Sequence, residues 1–216
     1  MAPFQEKRAV MLACLNHRGD GPAEALVRSV EVYGRETPGR TRVQDFVKDI
    51  YAKRYGAHIT EFAPVLLALR DAHGALVAAV GYRCAALEPL FLERYLDGPV
   101  EQALLGADAP SSARRDMVEV AHLVALKPGE GRRMMAELGR WLGQQGANWV
   151  VSTVTHELRH LFLRMGIAPL ALGVADPERL GEHAREWGSY YEHQPVVLAV
   201  ALSQTTRLRP RLVGGA

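Results

Sequence analysis

The chain has 216 residues, of which 48% are hydrophobic and 23% charged, a balance that suits one domain with a substantial buried core. A formal net charge of +2 argues against a nucleic-acid-binding protein, whose basic surface would dominate the composition, and no apolar run approaches the roughly 18 residues of a membrane span. The two cysteines, Cys14 and Cys84, lie far apart, which excludes a disulfide framework and favours a reducing, cytoplasmic location.

The first half of the chain combines short strands with helices. Apolar residues at helical spacing follow Thr41, a suitable N-cap, and continue to Gly56, which predicts a helix there. Two apolar runs flank Asp71–Gly74, a four-residue stretch typical of a hairpin loop. The other predicted elements are a strand or short helix over 8–17, strands over 26–34, 62–70 and 75–83, short helices over 89–96 and 99–105, and a loop over 107–115.

The second half alternates strands and helices, a pattern typical of a sheet with parallel pairs. We predict strands over 117–126, 148–155, 167–174 and 195–203, and helices over 132–145, 156–165 and 176–185. Met135, Leu138 and Leu142 mark the buried stripe of the first of these helices. The sequence therefore predicts an α/β domain over 26–205, with an extension or extra strand over 1–25 and a tail over 206–216.

Residues 127–131, Lys-Pro-Gly-Glu-Gly, form a predicted loop between a strand and a helix. Gly129 and Gly131 would let the backbone approach an anion closely, and the N-terminus of the following helix favours negative charge. Lys127, Arg132 and Arg133 add positive charge at the same place. The segment matches neither a Walker motif nor a dinucleotide fingerprint. It indicates either a phosphate site or an ordinary strand–helix connection with a basic helix start.

The sequence His156-Glu157-Leu158-Arg159-His160 matches the zinc motif H-E-x-x-H. On a helix both histidines would share one face, and Glu157 would serve as the base for a zinc-bound water. A third ligand would come from Glu178, Glu182 or Glu186. We expect no metal, because Arg159 would bring a cation close to the ion. The other interpretation is an ordinary helix start in which Thr155 is the cap and Glu157 complements the helix dipole.

Several segments together resemble the thermostable hemolysin family. The most specific are Leu90-Phe91-Leu92-Glu93 and Trp187-Gly188-Ser189-Tyr190-Tyr191, and the resemblance extends over roughly residues 26–200. The first of these belongs to a longer similar segment, Glu88–Asp97, and the other segments are Gly81-Tyr82-Arg83, Val118-Glu119-Val120, Trp149-Val150-Val151, Leu158-Arg159 and Leu161-Phe162. The sequence departs from the family pattern at His122 and His160, where asparagine is usual.

This resemblance implies a GNAT-like fold, with a mixed central sheet flanked by helices, which is shared with the acyl-homoserine-lactone synthases. In that fold the loop after the fourth strand binds the pyrophosphate of coenzyme A or the phosphopantetheine of an acyl carrier protein. The match covers residues 123–133, so the resemblance assigns the donor site to the following residues: Leu123, Val124, Lys127, Gly129, Gly131, Arg132 and Arg133. Leu123 and Val124 would supply the backbone N–H that stabilises the oxyanion.

The resemblance also implies roles for other side chains. Glu119, on the fourth strand, would be the base or a substrate anchor, with an ion pair to Arg83 as the structural alternative. Tyr190 or Tyr191 would protonate the leaving thiolate, with core packing as the alternative. His122 would be catalytic and would face one cleft with His160, unless both imidazoles only replace asparagine in a hydrogen-bond network. Arg83, Arg159 and His160 are assigned to the acceptor side.

The leading hypothesis is an N-acyltransferase that moves an acyl group, expected to be fatty, from acyl-CoA or acyl carrier protein to a small amine by direct attack. The apolar stretch 89–96 would line the acyl pocket or simply pack in the core. One alternative is a membrane-active hemolysin without enzymatic activity, and another is a zinc peptidase that uses His156, Glu157 and His160.

Overall fold

The computed structural model of the protein describes residues 29–107 and 113–205. The predictions for residues 8–17, for the extension over 1–25 and for the tail over 206–216 lie outside these ranges, as does the middle of the predicted loop over 107–115. Seven strands form a single sheet in the order β1-β2-β3-β4-β5-β7-β6. Only β4 and β5 are parallel, and all other neighbours are antiparallel. The strands are β1 (Val30–Tyr33), β2 (Val65–Arg70), β3 (Leu76–Cys84), β4 (Met117–Ala125), β5 (Trp149–Val154), β6 (Leu170–Val174) and β7 (Val196–Ala201).

Helices cover both faces of this sheet. The α-helices are α1 (Arg40–Tyr55), α2 (Val100–Gly106), α3 (Pro128–Gln144), α4 (His156–Arg164) and α5 (Leu202–Thr205). A short 3₁₀ helix spans Phe91–Tyr95, a single 3₁₀ turn spans Arg114–Asp116, and a longer run of 3₁₀ turns, here called the 3₁₀ segment, spans Pro177–His193. The α/β class and the mixed sheet that the sequence predicts are confirmed.

Three clusters of buried side chains hold the layers together. Helix α3 packs Met134, Leu138 and Leu142 on one face of the sheet. Helix α1 packs on the opposite face, where Val43 and Val47 are fully buried. The short 3₁₀ helix, α2 and part of the 3₁₀ segment form the third cluster over β5, β6 and β7. Of the predicted stripe of α3, Leu138 and Leu142 are buried as expected, whereas Met135 is only half-buried and its neighbour Met134 is buried instead.

Several predicted element boundaries need correction. Helix α1 has Gly39 at its N-cap and begins at Arg40, so Thr41 lies inside the helix and caps nothing. The predicted loop over 127–131 is also helical, because α3 already begins at Pro128. The fixed φ of proline suits the first helical position, where a missing N–H costs nothing. The predicted helix over 176–185 is 3₁₀ in type and is broken by non-helical backbone at Gly181, and the 3₁₀ segment to which it belongs has a second break at Gly188.

The Leu90-Phe91-Leu92-Glu93 stretch owes its conformation largely to its glutamate. The Glu93 carboxylate accepts hydrogen bonds from the backbone N–H of Leu90, at 2.9 Å, and of Val100, at 3.0 Å. The Arg114 guanidinium donates to the same carboxylate, with a distance of 2.9 Å between its Nη2 and the Glu93 Oε2. One side chain thus fixes the short 3₁₀ helix against α2 and against the chain that leads into β4. Leu90, Leu92 and Tyr95 are buried in the core, which supports the packing interpretation of residues 89–96.

Candidate active site

Strands β4 and β5 run side by side only briefly. Their residues pair from Met117 to Glu119 on β4, and the pairing ends opposite Val151 on β5. The next link is a side chain, since the Ser152 hydroxyl donates to the Val120 carbonyl at 2.7 Å. Beyond this link the residues of β4 pair with β3 but no longer with β5. The edge of β4 that faces β5 therefore opens into a gap in the middle of the sheet.

A β-bulge in β4 lies at the beginning of this gap. The pairing of β4 with β3 shifts register there, and His122 adopts a φ of 56°. Before the bulge Val118 and Val120 pack in the cluster under α3, whereas after it Val124 packs in the cluster under α1. A bulge re-aims the side chains that follow it. Here it turns His122 toward the same face of the sheet as Glu119, the face that α1 and the 3₁₀ segment cover.

Glu119 is buried beneath the short 3₁₀ helix. Its two carboxylate oxygens accept hydrogen bonds from the backbone N–H of Phe91, at 2.7 Å, and of Leu92, at 3.0 Å. The Arg83 Nε lies 3.3 Å from the same carboxylate, an ionic contact without hydrogen-bond geometry. Burial raises the pKa of Glu119 to about 7, although Arg83 and the two N–H groups act to lower it. The Glu119 side chain is only 2% exposed, and its contacts join β4 to the short 3₁₀ helix and to Arg83 of β3.

Arg83 extends this charge pair toward the surface. Its guanidinium is also 3.5 Å from the Glu61 carboxylate, which in turn pairs with Arg94 at 3.2 Å. Arg83 is buried, whereas Glu61 and Arg94 are about half exposed. The four charges alternate in sign from the interior to the surface, and Arg83 joins the buried pair to the exposed one.

His122 is buried against the rings of Phe62 and Tyr51, with ring centroids at 5.2 and 6.4 Å. The ring fits because Gly81 has no side chain, since a Cβ at that position would lie 3.2 Å from the His122 Nδ1. The imidazole hydrogen-bonds to the backbone of Glu61, and Nδ1 has no partner. Burial lowers the pKa of His122 to about 4, with a further contribution from Arg83. The imidazole is therefore neutral at pH 7.

The low pKa of His122 predicts a pH-dependent contribution to stability. Because the folded-state pKa of about 4 lies below the ordinary value of 6.5, the contribution is present above pH 6.5 and is lost as the pH falls through 4. As the pH is raised from 4 to 6.5, the unfolding free energy of the wild type should therefore increase by about 3 kcal/mol relative to that of His122→Asn. Urea denaturation at several pH values measures it.

The exposed His160 offers the control for this experiment. His160→Asn makes the same exchange on the surface of α4, so it reports the general effect of replacing histidine by asparagine. If the wild type and His122→Asn respond to pH in parallel, burial does not govern the protonation of this imidazole.

The predicted phosphate site lies in the first two turns of α3. The N–H groups of Glu130 and Gly131 bond to the Lys127 carbonyl at 3.0 and 3.3 Å. The predicted loop is therefore helical, since Gly129 and Gly131 both lie at the start of α3, and the Gly131 N–H is already bonded within the helix. A Cβ at Gly131 would approach the Ala125 side chain at 3.5 Å, so the helix starts close to the end of β4.

The basic residues keep their predicted position at this helix start. Lys127 and Arg132 are exposed, and Arg133 is half-buried. They lie where the dipole of α3 already favours an anion. A further polar group lies on β5 beyond its pairing with β4, since the buried Thr153 hydroxyl has no hydrogen-bond partner. A basic helix start beside an open strand edge and an unpaired hydroxyl fits a ligand with a polar chain and phosphate groups.

The two candidate tyrosines lie in different surroundings. The Tyr190 hydroxyl donates to the Thr153 carbonyl at 3.2 Å, on the part of β5 that borders the gap, and its ring packs in the same cluster as Val124. Burial raises the pKa of Tyr190 well above 10, so its hydroxyl remains protonated. Tyr191 instead bonds to the Tyr95 hydroxyl at 2.7 Å, and burial raises its pKa to about 12. Of the two tyrosines, Tyr190 is the one that bonds to β5 beyond its pairing with β4 and packs in the same cluster as a residue of β4.

The H-E-x-x-H motif lies on α4, as predicted. The Nε2 atoms of His156 and His160 are 3.1 Å apart, but the Glu157 carboxylate is bound by His193 at 2.8 Å. That hydrogen bond and others lower the pKa of Glu157 to about 2. Within residues 29–107 and 113–205, no three His, Cys, Asp or Glu side chains converge on a possible metal position.

The remaining predictions around α4 also need revision. Thr155 occupies the N-cap position without a capping bond to the backbone, and its hydroxyl bonds to Glu157 instead. Arg159 and His160 are exposed, whereas His122 is buried among aromatic rings. The structure does not support the prediction that His122 and His160 face one cleft. Arg159 is exposed and Arg83 is buried, although the resemblance assigns both to the acceptor side.

Sequence reasoning missed the residues beside the bulge that belong to other elements. Glu61, Arg94 and Trp187 line a cavity next to Phe91. Two signals were available, since Phe91 and Trp187 both belong to the segments that carry the family resemblance. Glu61 belongs to no motif, and only the fold shows that it meets Arg83.

The fold is similar to several solved structures. The acyl-homoserine-lactone synthase LasI is 14% identical, with a TM-score of 0.59 over 88% of this chain and 98% of its own. FeeM, an N-acyl amino acid synthase from uncultured soil microbes, is 12% identical, with a TM-score of 0.60 over 85% of this chain and 95% of its own. BjaI, a CoA-dependent acyl-homoserine-lactone synthase solved with SAM and isopentyl-CoA, is 12% identical, with a TM-score of 0.57 over 85% and 89%.

The mixed seven-stranded sheet, bulged and open between β4 and β5, defines a GNAT-like fold. No curated protein sequence matches the chain. The family model of the thermostable hemolysins matches residues 33–206, and the chain belongs to this family. None of the helices in the described residues is long and apolar enough to cross a bilayer.

Proposed function

We propose that the protein is an N-acyltransferase, which transfers an acyl group from a thioester donor to a small amine. The observation that carries the proposal is the gap between β4 and β5, bordered by a bulge and followed directly by a basic helix start. The similar structures are named as synthases of acylated amines, and BjaI was solved with isopentyl-CoA. These names support the reaction class, while the choice between CoA and an acyl carrier protein is left to experiment.

The donor would lie along the open edge of β4. Its phosphate groups would meet Lys127, Arg132 and Arg133 at the start of α3, and its pantetheine arm would enter the gap, where Thr153 has an unpaired hydroxyl. The thioester would then reach the bulge.

Backbone geometry favours Leu123 over Val124 as the oxyanion donor. Val124 is in register with Ala79 of β3, whereas Leu123 follows the bulge and has no partner in the register. An N–H aimed at the developing negative charge stabilises the tetrahedral intermediate. When the carbon–sulfur bond breaks, the Tyr190 hydroxyl would protonate the thiolate, because it remains protonated and borders the gap.

Glu119 would act as a positioning residue. Both of its carboxylate oxygens already accept backbone hydrogen bonds, and Arg83 lies beside it. The carboxylate is therefore surrounded on three sides and is almost completely buried. Its contacts hold the short 3₁₀ helix and Arg83 in place, which shapes the face from which an amine would approach. His122 would be a neutral packing residue of the bulge, and Tyr191 would support the short 3₁₀ helix through Tyr95.

Donor binding tests the proposal directly. Palmitoyl-CoA or palmitoyl carrier protein should raise the Tm of the purified protein, and the double variant Lys127→Glu/Arg132→Glu should weaken binding at least tenfold, since each contact of a charged donor with phosphate contributes about 1.5–3 kcal/mol. Arg140→Glu, an exposed exchange near the far end of α3 where Arg140 pairs with Glu137, is the control. Mass spectrometry of acylated amines then identifies the product.

The membrane-active alternative makes a different prediction. If neither donor binds and the protein releases dye from liposomes in the absence of any donor, the acyltransferase proposal is overturned.

A further inference from the structure

A small cavity lies on the face of the sheet that α1 and the 3₁₀ segment cover. It is bounded by the chain that leads into β2, the short 3₁₀ helix and the 3₁₀ segment. Its volume is about 170 Å³, which is small beside the roughly 300–1,000 Å³ of pockets for drug-sized ligands. Phe91 and Trp187 form its aromatic wall, with ring centroids 5.7 Å apart. Its charged groups include Glu61, Glu186 and Arg94.

The walls of this cavity are bonded directly to the residues around the bulge. The backbone N–H of Phe91 donates to Glu119 at 2.7 Å. Glu61 contacts two residues of the site, since its backbone bonds to the His122 ring and its carboxylate is 3.5 Å from Arg83. Phe91 and Glu61, which line the cavity, therefore also contact the residues beside the bulge. An acceptor held here would be next to the position proposed for the thioester.

The cavity presents charges of both signs within a short distance. Arg94 pairs with Glu61 at 3.2 Å, and its guanidinium lies 4.4 Å above the Phe91 ring. Glu186 accepts a hydrogen bond from the Thr60 hydroxyl at 2.7 Å and contacts His183 at 3.1 Å. Glu61 and Arg94 are 49% and 46% exposed, so a ligand can reach both. A molecule with an ammonium and a carboxylate would find a counter-charge for each.

We propose that this cavity binds the acceptor, and that the acceptor is a zwitterionic amine of amino-acid size. The inference rests on the proposed acyltransferase function. Glu61 would bind the ammonium, with Glu186 as a second counter-charge, and Arg94 would bind the carboxylate. The side chain of the acceptor would lie against Phe91 and Trp187. A ligand that replaces the Glu61–Arg94 contact keeps both charges paired.

The reaction balances with the groups that the structure provides. The ammonium gives one proton to the Glu61 carboxylate, which releases it to solvent. The neutral nitrogen then forms a bond to the thioester carbon, and the carbon–sulfur bond breaks with its electron pair on sulfur. The Tyr190 hydroxyl gives its proton to the thiolate and regains one from the nitrogen. The products are an N-acyl amino acid, a free thiol and one proton.

The test uses three matched acceptors: L-leucine, L-leucine methyl ester and isoamylamine. With the wild type, leucine should have the lowest KM. Arg94→Gln should raise the KM for leucine by 10- to 100-fold, as expected for the loss of a charged hydrogen bond, and should leave the KM for the ester nearly unchanged. Glu61→Gln should impair all three acceptors, because each carries the amine.

Arg179→Gln is the matched control. Arg179 is 41% exposed and pairs with Asp97 at 2.6 Å beside a second, larger cavity of about 490 Å³. If Arg179→Gln changes the KM for leucine and Arg94→Gln does not, the acceptor site is wrongly placed. If isoamylamine serves as well as leucine in the wild type, the zwitterionic acceptor is wrong.

Direct binding separates this inference from the function on which it rests. Calorimetric titration of leucine into the wild type and Arg94→Gln measures the cavity without a donor, whereas the Tm shift with palmitoyl-CoA measures the donor site alone. A donor-dependent Tm shift without leucine binding at the Glu61–Arg94 cavity would overturn the acceptor assignment and leave the acyltransferase proposal intact.

Discussion

Replacing Glu119 with alanine is expected to lower the free energy of unfolding by about 3–5 kcal/mol, the cost of removing one partner of a buried ion pair. The Arg83 guanidinium would lose its buried counter-charge. The N–H groups of Phe91 and Leu92 would lose their acceptors beneath the short 3₁₀ helix. Urea denaturation at about pH 9, where the Glu119 carboxylate is charged, measures the loss. A change below about 1 kcal/mol would show that water or a neighbouring group replaces the carboxylate.

The variant Glu119→Gln isolates the charge from the shape. Because burial raises the folded-state pKa of Glu119 to about 7 from an ordinary value of 4.5, its protonation contributes stability that is present below pH 4.5 and is lost as the pH rises through 7. As the pH is raised from 4.5 to 7, the unfolding free energy of the wild type should therefore decrease relative to that of Glu119→Gln. This sign is opposite to that expected for His122, so the two variants check each other in one set of titrations.

Gly188→Ala is expected to prevent stable folding or to lower the Tm severely. A Cβ at Gly188 would lie 2.0 Å from the Tyr55 carbonyl oxygen and 2.9 Å from the carbonyl carbon of Gly56. Both are backbone atoms at the end of α1, which is further fixed where the His58 N–H donates to the Glu186 carbonyl at 2.6 Å. The clash can be relieved only if the 3₁₀ segment moves away from α1. Circular dichroism melting curves measure the effect.

Gly181→Ala is the matched control for this clash. Gly181 and Gly188 have nearly the same backbone conformation, with φ of 57° and 54° and ψ near −130°, a region that favours glycine. A Cβ at Gly181 would meet nothing within 4 Å. Gly181→Ala should therefore cost only the backbone strain, about 1–3 kcal/mol. Equal losses for the two variants would mean that the close approach to Tyr55 contributes nothing.

Much of the fold follows from local patterns in the sequence. The hairpin around Asp71–Gly74 and the strand–helix alternation after residue 117 depend on neighbours in the chain, so periodicity and turn residues predict them. The first turn of α3 was missed because its glycines argue for a loop, whereas Pro128 begins a helix. The part of the 3₁₀ segment over 176–185 was predicted as a regular helix, because the conformation at Gly181 has no local signature; the break at Gly188 coincides with a close approach to α1, which lies far away in the sequence.

The candidate site was only partly predictable. Glu119 and Tyr190 came from the family resemblance, and the structure places both near the point where β4 and β5 separate. The burial of His122 depends on the bulge and on the missing side chain of Gly81, neither of which has a signature in one sequence. Arg94 lies in a segment that carries the family resemblance, whereas Glu61 meets the site only through tertiary contacts, so no local pattern indicates it.

The short pairing between β4 and β5 also has a consequence for cooperativity. Main-chain pairing joins β1–β4 to β5–β7 at only three positions, reinforced by the Ser152 hydroxyl. Side chains add to the coupling of the two half-sheets, such as Tyr190, whose hydroxyl bonds to the Thr153 carbonyl of β5 while its ring packs in the cluster that holds Val124 of β4. A donor lying between them would take the place of the missing strand contacts. Its binding energy would then count toward the global stability of the chain, and the liganded domain would unfold more nearly as one unit than the free one.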